Sequence, residues 1–378
     1  MVTPPAVHRF AALDGLRGVA ALVVAAEHLH ANGPLFSLAF FRNGLFFVDF
    51  FFVLSGFVIA ASYAERLRAG FPAKRFLWLR FWRVWPVHGL VLGAYLAIEL
   101  AVWAGGNGLT GRAAFGPERA LWQFAVQLVL LQAVVTPALY SWVLQSWSIS
   151  VELVLYAVAA LGWGKLRRGW WQVWLALSVL AGLGMALFPE QVGLHHKLLR
   201  GFSGFGLGAV TFALWQRAEP YLAALPRRTA GWLELAGLIA VAVAVHRAGD
   251  EAVFWLYGLG FAGVVLVFAA ERGAVSRLLL GRPAQFLGAV SYSIYMVHTL
   301  VQSAAGSIAA RLAGVAGLGH WFALPQPGSN RPALTAEAGL WADLFGLAVL
   351  GAVVLAAWLA WRLVEDPARR WSRRQADC

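Results

Sequence analysis

Cysteine, acidic residues and methionine are scarce in this sequence. Its one cysteine, Cys378, excludes a disulfide framework and a cysteine-based metal site. Charged residues make up 13% of the chain and hydrophobic residues 60%, with a mean hydropathy of +0.68. A soluble fold does not bury that much apolar surface, so the composition indicates a polytopic membrane protein. We therefore interpret the net charge of +12 as an orientation signal, and we expect no nucleic-acid partner.

Apolar runs of spanning length recur along the whole chain. Because one span needs about 20 residues, ten helices nearly fill the 378 residues, and one membrane domain over 1–378 is predicted. The ten predicted spans lie near 13–31, 45–63, 84–104, 147–163, 171–188, 198–215, 232–246, 253–270, 284–309 and 338–361. The run 120–135 is a short, glutamine-rich candidate for an eleventh span. A full crossing would put Lys165, Arg167 and Arg168 on the outer side, so the run is expected to be re-entrant or interfacial. The sequence thus predicts an all-α integral membrane protein.

The basic residues fall mainly on one side of this arrangement. With the N-terminus in the cytoplasm, the inner segments hold 21 of the 30 lysine and arginine residues and the outer segments hold eight. Cytoplasmic segments of membrane proteins carry such an excess. Both termini are therefore predicted to be cytoplasmic.

The first predicted span carries a cation and a titratable ring. Arg17 and His28 are eleven residues apart, which places them within about 20° of the same helix face and roughly 16 Å apart along the axis. Ionisable groups inside a bilayer are costly, so they indicate a functional role by default. A snorkelling arginine and a histidine that only bonds neighbouring helices are the alternative.

The fourth predicted span carries a carboxylate on a polar face. Ser148, Glu152 and Tyr156 follow one another at intervals of four residues and so share one side of the helix. A buried carboxylate needs a partner, for which His28 and Arg17 are the candidates. A role in joining helices is the alternative.

The second and ninth predicted spans also carry polar residues. Asp49 precedes an aromatic run and the pair Ser55 and Gly56, where small residues permit close helix approach and packing alone is an adequate explanation. Tyr295 and His298 share a face of the ninth span that is too polar for lipid. That face is either a network of hydrogen bonds between helices or a binding surface.

Two arginines stand one helical turn apart before the third predicted span. Arg80 and Arg83 lie in a predicted inner loop, followed by Pro86. Forked guanidinium groups at this spacing suit the phosphates of a nucleotide or of a lipid headgroup. A basic anchor at the cytoplasmic surface is the alternative.

Seven motifs in the same order make the chain resemble the membrane-bound acyltransferase 3 family, bacterial enzymes that O-acylate cell-surface sugars. The matching stretches are 17–28 (R-x10-H), 48–57 (FFxxSGF), 80–83 (RxxR), 146–156 (WSLxxE), 200–208 (R-x-F-x-G), 292–298 (SYSIYxxH) and 365–367 (ExP). The resemblance covers nearly the whole chain. His88 stands where the family pattern has a tyrosine.

The resemblance implies a multi-pass O-acyltransferase of the bacterial inner membrane. It would move an acyl group, expected to be acetyl, from cytoplasmic acyl-CoA to a hydroxyl of a cell-surface or lipid-linked glycan. On this view Arg80 and Arg83 bind the CoA phosphates and Arg17 positions the inner part of the donor. His28 is the general base, and Glu152 orients it. An acyl-histidine intermediate is an alternative to direct transfer.

A supporting polar network is expected around these groups, formed by Asp49, Ser148, Tyr156, Tyr295 and His298. The expected partners are the lipid bilayer, acyl-CoA and the acceptor, with no metal. Two other functions stay open. One is acylation of a small lipophilic acceptor, and the other is a transporter or flippase of lipid-linked sugars, which also needs polar residues along an axial path. Only the enzymes depend on acyl-CoA.

Overall fold

The computed structural model describes residues 9–105, 113–135, 141–166, 169–188, 196–248, 254–323 and 333–377. Nearly all regular structure in these residues is helical, which confirms the predicted fold class. The exception is a short ribbon in which β1 (Phe322–Ala323) pairs antiparallel with β2 (Ala333–Leu334). The predicted cytoplasmic termini include residues 1–8 and Cys378, which lie outside the described residues.

The α-helices follow one another along the described part of the chain. The first half of the chain forms α1 (Ala11–Glu27), α2 (Ala39–Arg42), α3 (Phe47–Ile59), α4 (Glu65–Arg68), α5 (Ala73–Gly105), α6 (Leu121–Leu128), α7 (Gln132–Val135) and α8 (Trp147–Lys165). The second half forms α9 (Trp170–Leu187), α10 (His196–Ala224), α11 (Arg227–His246), α12 (Phe254–Phe268), α13 (Ala274–Leu279), α14 (Arg282–Val315), α15 (Leu340–Ala360) and α16 (Asp366–Asp377). Two π-helical turns, Ala60–Ala64 and Trp361–Glu365, join α3 to α4 and α15 to α16.

Seven helical stretches within the described part of the chain are long and apolar enough to cross a membrane. They are Gly44–Arg68, Ala73–Gly105, Leu144–Lys165, Trp170–Leu187, His196–Ala224, Arg227–His246 and Leu340–Ala376. The three other predicted spans correspond to α1, α12 and α14. Helices α1 and α12 have 17 and 15 residues, and α14 is long but rich in polar side chains. The count of ten spans and their sidedness stay predictions.

Two predicted boundaries are wrong in a way that affects the site. Helix α1 ends at Glu27, so His28 caps the helix and is not part of a span reaching residue 31. Helix α5 begins at Ala73, so Arg80 and Arg83 lie on a helix and not in a loop. Pro86 is accommodated inside that helix.

The glutamine-rich segment 120–135 forms two short helices, α6 and α7. Helix α6 has 8 residues and is therefore about 12 Å long, too short to cross a hydrocarbon core of about 30 Å. Leu130, between the two helices, has a positive φ of 57°. Gln127 and Gln132 are buried and bond to Val143 and Ser146. The segment therefore does not form one spanning helix, and its re-entrant placement stays a prediction.

Glycines bring two pairs of helices into backbone contact. A Cβ atom on Gly56 of α3 would lie 2.0 Å from the Phe205 carbonyl oxygen of α10, and one on Gly208 of α10 would lie 1.9 Å from the Val53 carbonyl oxygen. A Cβ atom on Gly288 of α14 would likewise lie 2.4 Å from the Asp14 carbonyl oxygen of α1. Small residues allow such approach between membrane helices. These contacts fix α1 against α14 and α3 against α10, and the cavity described next lies between α1, α3, α5, α8 and α14.

Candidate active site

A cavity of about 550 Å³ runs between α1, α3, α5, α8 and α14, and side chains of α4 and α16 also line it. Apolar side chains such as Leu13, Leu54 and Val58 form part of its wall. Polar side chains, among them Ser55 and Glu152, lie between them. The cavity therefore offers both apolar contacts and hydrogen-bonding groups along its wall.

One end of the cavity is strongly basic. It adjoins a smaller pocket of about 280 Å³, and the two spaces share several lining side chains. The shared residues are Tyr63, Arg66, Arg80, Arg83, Arg369 and Arg373. Because guanidinium groups bind phosphates through paired hydrogen bonds, this end suits a phosphorylated ligand.

Arg80 and Arg83, predicted to bind the donor phosphates, both line the cavity and the smaller pocket. The Nη2 atom of Arg80 donates to the Tyr63 hydroxyl at 3.4 Å, and its guanidinium lies 5.2 Å from the centre of the Tyr63 ring. The Nε atom of Arg80 is buried and has no hydrogen-bond partner among the described residues. A buried donor without a partner is costly, and a bound anion would satisfy it.

Arg17 lines the cavity and faces α14. Its Nε donates to Ser291 Oγ at 2.9 Å and its Nη2 to the Gly288 carbonyl oxygen at 2.9 Å. Nη2 also pairs with Asp14 Oδ1 at 3.1 Å. The side chain is therefore held inside the protein and does not snorkel towards a lipid surface.

His28 is not among the described residues that line the cavity. Its Nδ1 lies 3.0 Å from the Val24 carbonyl oxygen and contacts the carboxylate of Glu27. The His28 ring packs edge-on against His298, with 4.9 Å between ring centres. Arg17 lies in α1 and His28 caps its end, but of the two only Arg17 borders the cavity.

Two rings connect the far end of the cavity with His28. Tyr295 and Ser148 line that end, and their hydroxyl oxygens lie 2.7 Å apart. The Tyr295 ring lies 6.0 Å from His298, which in turn packs on His28. Ser148, Tyr295 and His298, all predicted supporting residues, are therefore brought together between the cavity and His28.

Glu152 has partners other than those expected. Its carboxylate accepts hydrogen bonds from Ser55 Oγ at 2.5 Å and from the Tyr156 hydroxyl. All three of these residues line the cavity. The prediction that Glu152 pairs with His28 or Arg17 is wrong in this structure, because Glu27 occupies the position against His28 and Asp14 pairs with Arg17.

Asp49 lies outside the group of described residues that line the cavity. It forms a two-point ion pair with Arg200 of α10, with distances of 2.7 and 3.2 Å, and both side chains are 5% exposed. The Arg200 guanidinium also lies 5.5 Å from the centre of the Trp147 ring. This pair joins α3 to α10 beside their glycine contacts, so Asp49 supports the helix packing.

His88 connects two helices beside the site. His88 is buried, and its Nε2 lies 2.8 Å from the Gln127 carbonyl oxygen. It therefore attaches α6 to α5. Among the described residues, no group of three or more histidine, cysteine or acidic side chains is arranged to hold a metal ion.

Several residues of the site were not predicted from the sequence. In the sequence, the only feature that marks Glu27 is its position next to His28. The only feature that marks Asp14 is its spacing of three residues from Arg17. Arg369 and Arg373 lie one helical turn apart, as Arg80 and Arg83 nearly do, but they follow the last motif of the family pattern. A search for paired arginines on the inner side would have found them.

Comparison with known proteins identifies the family. The sequence profile described as an acyltransferase domain, that of the acyltransferase 3 family, matches residues 10–362. "Protein 2 in picA locus" of Rhizobium radiobacter is 34% identical over 200 residues, which cover 50% of this chain and 98% of that protein. "Acyltransferase MdmB" of Streptomyces mycarofaciens is 27% identical over 404 residues, covering 97% of this chain and 93% of that protein. No solved structure matches the chain.

The profile match covers α1, α3, α5, α8 and α14, which form most of the cavity wall, whereas α16 follows the matched region. The family predicted from the seven motifs is thereby confirmed. With its spanning helices and its match to this profile, the chain belongs to the acyltransferase 3 family and is a membrane acyltransferase.

Proposed function

We propose that this enzyme O-acylates an acceptor hydroxyl with an acyl group, most simply acetyl, taken from cytoplasmic acyl-CoA. The observation that carries the proposal is the single cavity that joins a cluster of arginines to Ser148 and Tyr295, next to His298 and His28. Such a cavity matches the order of groups in the donor. CoA is anionic at its nucleotide end, largely uncharged along its pantetheine arm and reactive at its thioester.

The donor enters with its thioester leading. Arg80 and Arg83 bind the phosphates by charge-assisted hydrogen bonds, which are about twice as strong as neutral ones. The pantetheine arm, which is largely uncharged and carries two amides, lies along the mixed polar and apolar wall of the cavity, and Arg17 holds an oxygen of its inner part. The thioester carbonyl then reaches Ser148 and Tyr295, whose hydroxyl groups can orient it.

His28 acts on the acceptor. Its imidazole removes the proton from the acceptor hydroxyl, and the oxygen forms a bond to the acyl carbon. The carbon–sulfur bond breaks, and the CoA thiolate leaves and takes up the proton from the imidazolium. Glu27, which contacts Nδ1, stabilises the imidazolium and fixes the ring orientation, the role expected of Glu152.

Transfer requires a side chain to move. The rings of Tyr295 and His298 lie between the cavity and His28, so rotation of Tyr295 has to bring the thioester and His28 into contact. The alternative is an acyl-histidine that carries the group across this gap. Rapid denaturation near neutral pH after a single turnover with radiolabelled acetyl-CoA and no acceptor distinguishes them, because only the intermediate leaves label on the protein.

The acceptor is proposed to be a glycan on the outer side of a bacterial inner membrane. Two features support donor entry from the cytoplasm. Basic residues are in excess on the predicted inner segments, and α16 lies beside the basic end of the cavity. A small lipophilic acceptor remains the second candidate. The resemblance to enzymes that acylate surface sugars favours the glycan.

Proteoliposomes test the reaction. The purified protein is supplied with radiolabelled acetyl-CoA and with envelope glycan from cells that lack it, and label is expected in the glycan as an alkali-labile ester. Empty liposomes serve as the control. Movement of unlabelled glycan across the bilayer without any transfer of label would instead identify a transporter. Mass spectrometry of envelope glycans from cells with and without the protein then locates the acylated hydroxyl.

A further inference from the structure

We infer that the C-terminal helix α16 forms a recognition site for the phosphates of the acyl donor, with Arg369 and Arg373 as its ligating residues. This inference rests on the proposed function, because it takes acyl-CoA as the donor. It goes beyond that function by assigning the choice between CoA and carriers with fewer phosphates to a helix outside the matched family region. That region ends at residue 362.

Arginines make up more than half of the residues that line the pocket beside the cavity. Its lining contains six arginines, namely Arg66, Arg75, Arg80, Arg83, Arg369 and Arg373. None of the described residues that line it is acidic. Six guanidinium groups around about 280 Å³ repel one another, so the pocket is stable with an anion that carries several charges.

Helix α16 presents two different arginine pairs. Arg369 and Arg373 are four residues apart, so they lie on one face, and both line the pocket and the main cavity. Arg370 and Arg374 are rotated by about 100° from them and are exposed. Arg370 forms an ion pair with Asp366 on this outer face. The helix therefore carries equal charge towards the pocket and away from it.

Three contacts hold α16 and the turn before it against the rest of the protein. The buried carboxylate of Glu365 accepts a hydrogen bond from Ser293 Oγ at 2.7 Å and lies 3.7 Å from Arg369 Nη1. Trp371 packs on Trp82 with 4.8 Å between ring centres. These contacts attach α16 to α14 and α5, so Arg369 is oriented before any ligand arrives.

Aromatic rings orient the arginines opposite α16. The guanidinium of Arg66 lies 4.4 Å from the centre of the Phe71 ring, and that of Arg75 lies 5.4 Å from the same ring. Stacking of this kind favours planar, pre-oriented guanidinium groups that bind phosphate with little loss of freedom. Because the pocket shares six lining residues with the cavity, one ligand can place a phosphate here and another of its groups in the cavity.

The ligand class follows from this geometry. A donor with a diphosphate and a separate phosphate monoester can occupy the basic end of the cavity and the pocket together. A phosphopantetheine carrier has only a single phosphodiester. We therefore assign the pocket to the 3′-phosphate of CoA and the basic end of the cavity to the diphosphate.

Equilibrium binding to the full chain in nanodiscs of neutral lipid tests the inference. The probes are CoA and 3′-dephospho-CoA, and the test variant is Arg369→Gln with Arg373→Gln. The matched control is Arg370→Gln with Arg374→Gln, which removes the same charge from the same helix. We expect the test variant to bind CoA about tenfold or more weakly and to lose the preference for CoA over 3′-dephospho-CoA, and the control to keep both within about twofold of the unmodified protein.

The outcomes separate the inference from the function on which it rests. If the unmodified protein binds CoA and the two double variants bind it equally, α16 has no such role and the proposed function stands. If the unmodified protein does not bind CoA, both fail. If the test variant binds CoA normally and loses only the phosphatidylglycerol that co-purifies with the unmodified protein, the inference is overturned, because Arg369 and Arg373 then bind lipid headgroups. Size-exclusion profiles check that the variants are folded. A second variant, Arg369→Lys with Arg373→Lys, keeps the charge and is expected to retain part of the CoA affinity, which excludes misfolding as the cause of weaker binding.

Discussion

The imidazole of His28 lies between a carboxylate and a second imidazole. Glu27 contacts its Nδ1 atom, and His298 packs against its ring. A carboxylate in this position stabilises the charged ring that forms when it takes a proton. The residue therefore has the surroundings of a general base, although it lies outside the cavity.

Replacement of His28 by alanine is expected to reduce acyl transfer by about 10²-fold or more, because a positioned general base contributes about 10²–10⁴-fold. Transfer of label from acetyl-CoA to the acceptor measures the effect. Size-exclusion chromatography in detergent checks that the variant is folded. Activity close to that of the unmodified enzyme would rule out the proposed base.

The two carboxylates near the site are expected to affect different kinetic constants. Glu27→Gln should lower kcat by about tenfold or more with little change in the KM for acetyl-CoA, because Glu27 contacts the base. Glu152→Gln should mainly raise that KM, because Glu152 holds Ser55 and Tyr156 in the cavity wall. Steady-state rates over a range of donor concentrations separate the two. An opposite pattern would restore Glu152 as the partner of His28.

Residue spacing alone did not identify the partner of His28. A helical wheel places neighbours about 100° apart, so Glu27 and His28 were not expected to face each other. That rule stops at Glu27, where α1 ends, and the turn at His28 lets the two side chains meet. In contrast, Arg17, Arg80 and Arg83 lie within helices, and the structure places all three in the cavity wall.

The packing of α3 on α10 depends on glycine. We expect Gly208→Ala to lower the stability of the folded protein by about 1–3 kcal/mol, because the new Cβ atom would overlap with the backbone of α3. Gly263→Ala in α12 is the control, since a Cβ atom there has no neighbour within 4 Å. Thermal unfolding in detergent measures both. Equal melting temperatures would contradict the close approach.

The ion pair between Asp49 and Arg200 joins the same two helices. Asp49→Asn is expected to destabilise the protein by about 3–5 kcal/mol, because it leaves a buried guanidinium without its counter-charge. Asp366→Asn, which removes the partner of the exposed Arg370, should cost less than about 1 kcal/mol. Thermal unfolding of the two variants compares them, and similar losses would mean that the buried pair contributes little.

At the scale of helices, hydropathy predicted most elements but not how they end. The apolar runs correspond to helices throughout the described chain, since a bilayer leaves the backbone few other ways to bond. The break at Leu130 and the early start of α5 depend on local backbone geometry and on contacts with distant residues. The pairing of Asp49 with Arg200 links positions 151 residues apart, which no local pattern encodes.

For the whole molecule, the sidedness of donor entry can be measured with the single cysteine. Cys378 directly follows α16, which borders the basic end of the cavity. In sealed vesicles of opposite orientation, we expect externally added acetyl-CoA to be used only where an impermeant maleimide labels Cys378 from outside. The maleimide reaction and the transfer of label are measured on the same vesicles. Donor use in vesicles whose Cys378 is protected would reverse the proposed direction.

Ser148 and Tyr295 are buried and line the cavity, whereas His28 is not among the described residues that line it. On the proposed mechanism the acyl group therefore passes between side chains and not through a continuous open channel. The anionic nucleotide stays on the side from which it came, and an acyl group such as acetyl is neutral. Since only charge is driven or opposed by membrane voltage, the rate of transfer should be the same in energised and de-energised cells.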